Sequence, residues 1–329
     1  MGDDSPSTNR TVKMLMAVAL GIALLAGSCS SAEPLATIDG DDLGRQELER
    51  LHVDISHLDE DEKAASTLLL VLHHAFTTQA RAEFEIELDP TIVGQAFADR
   101  TVRYAHRPDL DLALAAENLT RQRILIESEL DTLRDAIAEE LVLSESGNFD
   151  LDTAYQTYLL DKGEVCIRQI TLLSADSYDM VLAKLEAGSD FDALAREYST
   201  DPFVHREEGK VGAGGDLGCS TPAALPRGLD EASLDAPVGE TYGPVFSDIG
   251  LHLLWVYKRT APVLEDVHDA VHLHAVPLQG PDLFRDWAID VLETIEVDLD
   301  EAYGTWGVLP ETDGIPTVVP TYRVHLIIP

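Results

Sequence analysis

The chain has 329 residues, of which 60 are Asp or Glu and 23 are Lys or Arg, so its formal net charge is -37. This excess of acid argues against nucleic acid and anionic lipid headgroups as electrostatic partners. Acidity alone would also fit a disordered chain. However, 45% of the residues are hydrophobic and they occur in patterned runs, which supplies enough apolar surface for folded cores.

The N-terminus has the layout of an export signal. Arg10 and Lys13 precede an uncharged apolar run from Met14 to Gly27, which is short for a membrane-spanning helix and suits the core of a signal peptide. The run leads into Ala26-Gly27-Ser28-Cys29, which resembles a bacterial lipobox, with Ala26 where that motif prefers Leu.

The lipobox resemblance implies that residues 1–29 are a lipoprotein signal peptide and that Cys29 carries the lipid. The protein would then be exported and anchored to the outer face of the cell membrane or in the periplasm. An ordinary secretory signal that is cut nearby is the alternative, and it exports the protein without a tether.

Residues 30–162 are predicted to be mostly helical. A β-like run at Leu35–Ile38 ends at the turn signal Asp39-Gly40, and the strand, the turn and the next helix resemble the opening of a SurA-type chaperone domain. The apolar helices fit either a plain core, which is the default, or a groove for unfolded chains. The helices are predicted from Gly44 and at Asp61–Glu87, Thr91–Arg103, Asp109–Asn118, Leu119–Leu143 and Asp152–Leu160.

Residues 163–260 have a mixed pattern. A small antiparallel sheet wrapped by helices is expected, which is an α+β arrangement. The predicted strands are Val165–Leu172, Thr241–Val245 and His252–Lys258, and the predicted helices are Ser177–Ala187, Phe191–Glu197 and Asp230–Leu234.

Two cysteines, Cys166 and Cys219, remain besides Cys29. An even pair in an exported domain indicates a disulfide, and two buried free thiols are the alternative.

Three separated motifs within Val165–Lys258 carry a family resemblance. They are Tyr198-Ser199-Thr200-Asp201-Pro202, Gly214-Gly215-Asp216-Leu217-Gly218, and Gly243-Pro244-Val245-Phe246 followed by Gly250-Leu251-His252-Leu253. In this order they resemble the parvulin family of peptidyl-prolyl cis-trans isomerases, which rotate Xaa-Pro peptide bonds. The resemblance also implies that the opening strand runs beside the Gly-Asp-Leu-Gly loop, which makes a Cys166–Cys219 bridge sterically plausible.

The resemblance assigns substrate-binding roles by position. Leu225 and Leu229 correspond to the apolar cup for the proline ring, with Leu217 and Phe246 beside it. Asp201 stands where family members place a side chain that faces the substrate carbonyl.

The resemblance also assigns the remaining catalytic positions. His252 matches the second His of the family, and Ser199 and Ser247 are candidates to hydrogen-bond it or its neighbours. Gln169 occupies the place of the first family His, where it can hydrogen-bond but cannot titrate. Bond rotation requires no covalent step, metal or cofactor, so none is expected. Phe203–Val211 looks like an insertion beside the site and is predicted to be a mobile surface loop.

The C-terminal segment, residues 261–329, is predicted to contain an amphipathic helix at Pro281–Glu293 and a strand at Ile295–Leu299. This order resembles the last segment of SurA-like chaperones, which packs back onto the N-terminal helical domain. Residues 163–260 would then be an insertion.

Three histidines in this segment, His268, His272 and His274, raise the question of a metal. Residues four apart on a helix can share a metal, but strand alternation fits this stretch equally and no Cys or carboxylate motif of known pattern accompanies the histidines. No metal site is therefore expected.

The sequence thus predicts an α+β protein with a parvulin-like domain inserted in a SurA-like helical chaperone domain. The predicted function is a peptidyl-prolyl isomerase and chaperone whose partners are unfolded exported polypeptides containing Xaa-Pro bonds. A non-catalytic holdase or interaction lipoprotein with a degenerate parvulin domain is the main alternative, because of Gln169. A lipoprotein receptor for one defined ligand is a third.

Overall fold

The computed structural model describes residues 34–308 and 315–320. The predicted signal peptide and Cys29 lie outside these ranges. Among the described residues, none of the helices combines the length and the apolar content that crossing a bilayer requires.

The chain begins with a strand pair and continues as helices. Two short strands, β1 (Ala36–Ile38) and β2 (Asp41–Leu43), pair in antiparallel fashion around Asp39-Gly40. The helices that follow are α1 (Arg45–Leu51), α2 (Glu60–Phe84), α3 (Pro90–Thr101), α4 (Leu110–Ala115), α5 (Arg121–Leu143) and α6 (Leu151–Lys162).

Side-chain caps fix where the long helices begin. Asp59 caps α2 by accepting the N–H of Glu62, whose carboxylate in turn accepts the Asp59 N–H. This capping box satisfies two backbone donors that the helix itself leaves without partners. At α3, Asp89 accepts the N–H of Thr91 and Pro90 occupies the first turn, where its missing N–H costs nothing.

Residues 163–260, called the module below, form a four-stranded antiparallel sheet with helices on both faces. Its strand order is β4-β3-β6-β5. The elements are β3 (Glu164–Leu172), α7 (Ala175–Glu186), α8 (Phe191–Tyr198), β4 (Asp216–Ser220), α9 (Leu229–Asp235), β5 (Thr241–Ser247) and β6 (Gly250–Thr260). The sequence patterns did not predict β4, which follows directly after Gly214-Gly215.

The alternation of side chains along the central strands gives the module two small cores. Ile170 and Leu253 pack with Val181 and Phe191 from α7 and α8 on one face of the sheet. On the other face, Ile167 packs with residues of α9. The site discussed below lies at the loops that lead into and out of β4.

The chain then returns to the first helices through α10 (Leu264–Thr294), β7 (Val297–Leu299), β8 (Thr305–Val308) and β9 (Pro316–Val319). Strand β7 pairs with β1, so segments from before and after the module share one sheet of order β2-β1-β7, while β8 and β9 pair in a separate sheet. Helix α10 joins α2, α5 and α6 in one apolar core, in which Phe76, Phe84, Phe284 and Trp287 contact one another through their rings. We call residues 34–162 and 261–320 the helical region.

Helix α10 is longer than the sequence pattern predicted. The pattern placed its start at Pro281, and strand alternation was left open for Val271–Val276, but the structure is helical from Leu264 through Pro277 and Pro281. An interior proline removes one helical hydrogen bond and usually ends a helix. Here the segment packs tightly on α5, since a Cβ added at Gly280 would lie 3.1 Å from the Cβ of Ala138.

Both connections to the module run side by side at one place in the helical region. Tyr155 of α6, which leads into the module, donates its hydroxyl to the carbonyl of Pro262 on the way out at 2.7 Å. Nearby, His274 of α10 stands 3.4 Å from the Asp161 carboxylate of α6 and edge-on to Tyr158. We call this pair of connections the neck.

Candidate active site

An apolar cavity of about 560 Å³ opens at the surface of the module between the end of α8 and the start of α9. Its volume lies within the range of small-ligand pockets and leaves room for residues on both sides of a proline. Apolar side chains dominate the lining, with a polar wall formed by a few residues of β3 and the α8–β4 loop. The lining residues are Gln169, Thr171, Thr200, Asp201, Pro202, Phe203, Val211, Leu217, Ser220, Ala224, Leu225, Pro226 and Ile249.

The polar wall of the cavity is a contact between Asp201 and Gln169. The Gln169 amide donates from Nε2 to Asp201 Oδ2 at 3.3 Å, while Asp201 Oδ1 accepts the backbone N–H of Phe203 at 2.9 Å. Because a carboxylate can only accept, this contact fixes which end of the amide is the nitrogen. Gln169 Oε1 is then buried without a protein partner among the described residues. Buried polar atoms usually have a partner, so this acceptor is an exception at the back of the cavity wall.

His252 lies one layer behind this wall and is fully buried. Its Nδ1 is 3.3 Å from the Thr171 hydroxyl, which lines the cavity, and its Nε2 is 2.6 Å from the Ser247 hydroxyl. Burial lowers the pKa of His252 below its ordinary value, and the nearby Asp201 carboxylate opposes this shift in part. The ring is therefore held neutral between two hydroxyls that can each donate or accept.

Ser199 joins β3 to the loop that carries Asp201. Its hydroxyl accepts the backbone N–H of Thr171 at 3.1 Å and that of Asp201 at 3.3 Å. The backbone N–H of Thr200 in turn donates to the Thr171 carbonyl at 2.8 Å. These bonds hold the carboxylate of Asp201 at a fixed position relative to β3. Ser199 thus contacts Thr171 and Asp201, whereas the hydroxyls bonded to His252 belong to Thr171 and Ser247.

Two features keep β3 and β4 close at the back of the site. Cys166 and Cys219 occupy opposite positions in the β3–β4 pairing and are joined by a disulfide. Gly215 lies directly over β3 with a φ of +82°, and a Cβ there would be 2.2 Å from the Gln169 carbonyl oxygen. Only glycine fits this approach, which explains the glycine pair of the second motif.

The segment predicted to be a mobile insertion, Phe203–Val211, is tied to the module. Val204 is fully buried in the core on the α7 and α8 face, and Arg196 of α8 donates to its carbonyl at 2.8 Å. The Arg206 guanidinium lies 3.7 Å from the centre of the Phe203 ring. The segment therefore forms a wall of the cavity, to which it contributes Phe203 and Val211.

The structure brings together some of the predicted substrate-binding residues and separates others. Leu217 and Leu225 line the cavity with Asp201 and Gln169. Leu229 does not line it, because the first turn of α9 points this side chain into the core, where it is fully buried with Val165 and Ile167. Phe246 does not line the cavity either, since it lies on the outer face of the edge strand β5 and is 72% exposed.

Sequence reasoning missed several residues of the cavity. Thr171 lies two positions from Gln169 on β3, so period-two alternation places both side chains on the same face and would have found it. Ile249 comes from the β5–β6 turn and Ala224 from the β4–α9 loop, where no periodicity predicts side-chain direction.

A second cavity of about 780 Å³ lies next to the first, and Val211 lines both. Charged groups such as Arg168, Asp192 and Lys210 dominate its lining. A cavity of this kind does not favour a proline ring, because burying charged groups against an apolar ligand costs their hydration. We therefore place the candidate substrate site in the apolar cavity.

Comparisons with known proteins show which family the module resembles. Residues 174–258 match the family model described as Rotamase, the PPIC-type PPIase domain. The foldase protein PrsA of Geobacillus kaustophilus is 32% identical over 157 residues, which are 47% of this chain and 50% of that protein. The chaperone SurA of Pseudomonas aeruginosa is 36% identical over 78 residues, 24% of this chain and 17% of that protein.

Among solved structures, the peptidylprolyl isomerase PrsA from Bacillus cereus superposes with a TM-score of 0.49 at 17% identity, covering 80% of this chain and 92% of that one. The chain spans about half the length of the first curated relatives it matches. The matched segment belongs to the parvulin, or PPIC-type, family of domains. This is the family that the sequence motifs predicted, and the chain is similar to PrsA and SurA over the stretches given above.

Proposed function

We propose that this protein catalyses cis-trans isomerisation of Xaa-Pro bonds in unfolded or partly folded exported polypeptides and also binds such chains as a chaperone. The observation that carries the proposal is the apolar cavity that places Leu217 and Leu225 opposite the Asp201 and Gln169 pair. A proline ring packs on the leucines, which leaves the preceding carbonyl beside the polar wall. The names of the relatives, foldase PrsA and chaperone SurA, support the same activity.

The chemistry requires only that the site favours the twisted amide over the planar one. Rotation about the peptide bond faces a barrier of about 18 to 20 kcal/mol because resonance must be broken. The planar form places partial negative charge on the carbonyl oxygen, and the Asp201 carboxylate disfavours that charge. Gln169 donates to Asp201 and so holds this carboxylate in place, and the twisted form, which carries less charge on the carbonyl oxygen, is bound more tightly than the planar one.

His252 acts in this proposal as a positioning residue. It is fully buried and reaches the cavity only through the Thr171 hydroxyl, so it does not touch the substrate. With its pKa lowered by burial, the ring stays neutral and keeps Thr171 and Ser247 in place. Gln169 takes over the hydrogen-bonding part of the first family His without its charge.

The remaining parts of the proposal concern domains and location. We propose that residues 163–260 are an inserted isomerase domain and that residues 30–162 and 261–329 together form the chaperone domain, supported by the pairing of β7 with β1. We further propose export through the signal-like residues 1–29 and a lipid anchor on Cys29. Mass measurement of the membrane-bound protein tests the anchor, which Cys29→Ala should abolish.

The catalytic test is a protease-free isomerisation assay on a short Xaa-Pro peptide, comparing wild type with Asp201→Ala and with Asp179→Ala as a matched control. Asp179 is an exposed Asp on α7 that does not line the cavity. We expect Asp201→Ala to lower kcat/KM at least about 10-fold, as expected when a preorganised electrostatic group is removed. Asp179→Ala should match the wild type.

The same samples separate catalysis from chain binding. We also measure aggregation of an unfolded client with each variant, and Asp201→Ala should suppress it as well as wild type does. If wild type and Asp201→Ala both leave the peptide at its uncatalysed rate while aggregation is still suppressed, the protein is a holdase and the isomerase proposal is wrong.

A further inference from the structure

A group of three side chains outside the module has the donor atoms and spacing of a metal site. Glu145 follows the end of α5, and His268 and His272 lie one turn apart near the start of α10. Glu145 Oε1 is 3.1 Å from His272 Nε2 and 3.3 Å from His268 Nε2, and all three donor atoms lie within 4.8 Å of one another. Donors at about 2.1 Å from a tetrahedral ion are about 3.4 Å apart, so the spacing suits such an ion.

The hydrogen bonding of His272 supports a cation at this point. His272 Nδ1 is 2.9 Å from the backbone carbonyl of His268, which can only accept, so Nδ1 carries a hydrogen. In the neutral ring, Nε2 then carries a lone pair and can only accept. It faces the Glu145 carboxylate oxygen, which is also an acceptor. Two acceptors at 3.1 Å repel unless a proton or a metal ion lies between them.

A second imidazole ring faces the same carboxylate oxygen. His268 points its own Nε2 at Glu145 Oε1, and the centres of the two rings are 4.3 Å apart. His272 is only 2% exposed, so its ring is held within the protein. One divalent ion would satisfy all three donors.

The backbone at the end of α5 determines where the Glu145 carboxylate lies. The N–H of Ser146 bonds to the carbonyl of Leu141 and that of Glu145 to Val142, which is the Schellman end of a helix. Glu145 occupies the left-handed position of this motif, with a φ of 53°, as Glu85 does after α2. From this position the Glu145 side chain meets both histidines.

We propose that Glu145, His268 and His272 bind one divalent transition-metal ion of the Zn²⁺ class. Two imidazole nitrogens and one carboxylate oxygen are donors that suit zinc. The His272 Nδ1–H bond to the backbone fixes the ring with Nε2 towards the ion. Glu145 and His268 are 44% and 45% exposed, so a water molecule completes the coordination on the open side.

The ion would act as a structural clamp. It links residues 127 positions apart and joins the end of α5 to the first turns of α10, which begins just after the module ends. His274 takes no part, since its Nε2 faces Asp161 in the neck. No metal was expected from the sequence, because strand alternation fitted the stretch equally and no carboxylate motif of known pattern accompanies the histidines, whereas Glu145 lies 127 residues before His272.

The test measures Zn²⁺ binding to untagged, chelator-stripped protein by titration calorimetry, in excess Mg²⁺ because the net charge of -37 attracts divalent ions non-specifically. We expect one tight site per chain and a rise in Tm on adding Zn²⁺. Glu145→Gln, His268→Ala and His272→Ala should each lose both effects. Glu145 and His268 are exposed, so their variants remain informative if His272→Ala fails to fold.

The matched controls are His73→Ala and His274→Ala, because each removes a histidine that faces a single carboxylate, Glu129 or Asp161. Both controls should bind Zn²⁺ as the wild type does. If the wild type shows no tight site, or if the Glu145 and His268 variants bind as well as the controls, the cluster is a proton-mediated contact and the metal proposal is wrong.

Discussion

The helical region and the module are held together in different ways. The helical region contains the largest apolar core among the described residues, in which long helices contact one another through rings such as Phe76 and Trp287, with smaller clusters beside it. The module has two smaller cores, a disulfide across β3 and β4, and a cavity open to solvent. The module keeps a cavity open and therefore has fewer apolar contacts. A disulfide and hydrogen bonds around the cavity take the place of those contacts.

The largest effect should come from truncating the aromatic core of the helical region. Trp287→Ala removes ring contacts with Phe76, Phe84 and Phe284 as well as the indole bond to Glu83. We expect the free energy of unfolding of this region to fall by about 3 to 5 kcal/mol. Hydrogen exchange read peptide by peptide should show the loss in α2, α5 and α10 and leave the module protected.

The control for this experiment is Trp255→Ala, which removes the tryptophan that packs against Phe191 in the module. It should reverse the pattern by weakening the module and sparing α2, α5 and α10. Equal loss of protection in both regions from either variant would show that they unfold as one unit, contrary to the comparison.

The second largest effect should come from removing the disulfide between β3 and β4. The bond between Cys166 and Cys219 closes a loop of 53 residues, and replacing both with Ala should lower the free energy of unfolding of the module by about 2 to 4 kcal/mol. Denaturation followed by exchange in β3 and β6 measures it. Unchanged stability of the double variant would mean that the sheet alone holds the cavity walls, and the contrast between the two regions would be weaker.

A smaller effect tests whether His252 reaches the cavity through Thr171. Thr171→Val keeps the shape of the side chain and removes the hydroxyl that contacts His252, so we expect kcat/KM to fall about fivefold, equivalent to one hydrogen bond of about 1 kcal/mol. Thr241→Val on the exposed start of β5 is the control. Equal rates for the two variants would exclude the positioning role of His252.

The smallest effect is a pH dependence with the same sign in both regions. Burial lowers the pKa of His252 in the module and of His52 in the helical region. Below about pH 6.5 each of these histidines takes up a proton in the unfolded chain but not in the folded chain. The free energy of unfolding therefore falls as the pH is lowered, by at most about 1.4 kcal/mol per pH unit for each histidine.

Two substitutions test which histidine causes the pH dependence of the free energy of unfolding in each region. His252→Asn should flatten the acid slope of the module, and His52→Asn that of the helical region, in urea titrations between pH 4 and 7 read by exchange. His106→Asn removes an exposed histidine and serves as the control. If the free energy of unfolding of both regions still falls at low pH in these two variants, groups other than His252 and His52 cause the acid sensitivity.

The sequence predicted most of the helical region because its helices are long and periodic. The predicted spans for α2 and α5 agree with the structure within about three residues at each end. The first half of α10 was left open between helix and strand, and the structure is helical there because packing against α5 keeps the helix intact through Pro277 and Pro281. Tertiary contacts here outweigh the low intrinsic helix propensity of the two prolines.

The candidate site was predicted in part, for a different reason. Motif position brought Asp201, Gln169, Leu217 and Leu225 to one cavity, but it does not give side-chain direction in short irregular segments. Leu229 therefore proved to be a core residue. No local sequence pattern could have predicted the cluster around His272, because its carboxylate belongs to Glu145, which lies 127 residues away along the chain.

The hydrogen bond between Tyr155 and Pro262 has a consequence for how this architecture can change over time. Because the incoming and outgoing segments meet side by side, the helices around Phe76 and Trp287 share one core built from both sides of the module. A lineage could therefore exchange, duplicate or delete the module at this junction through a single recombination event.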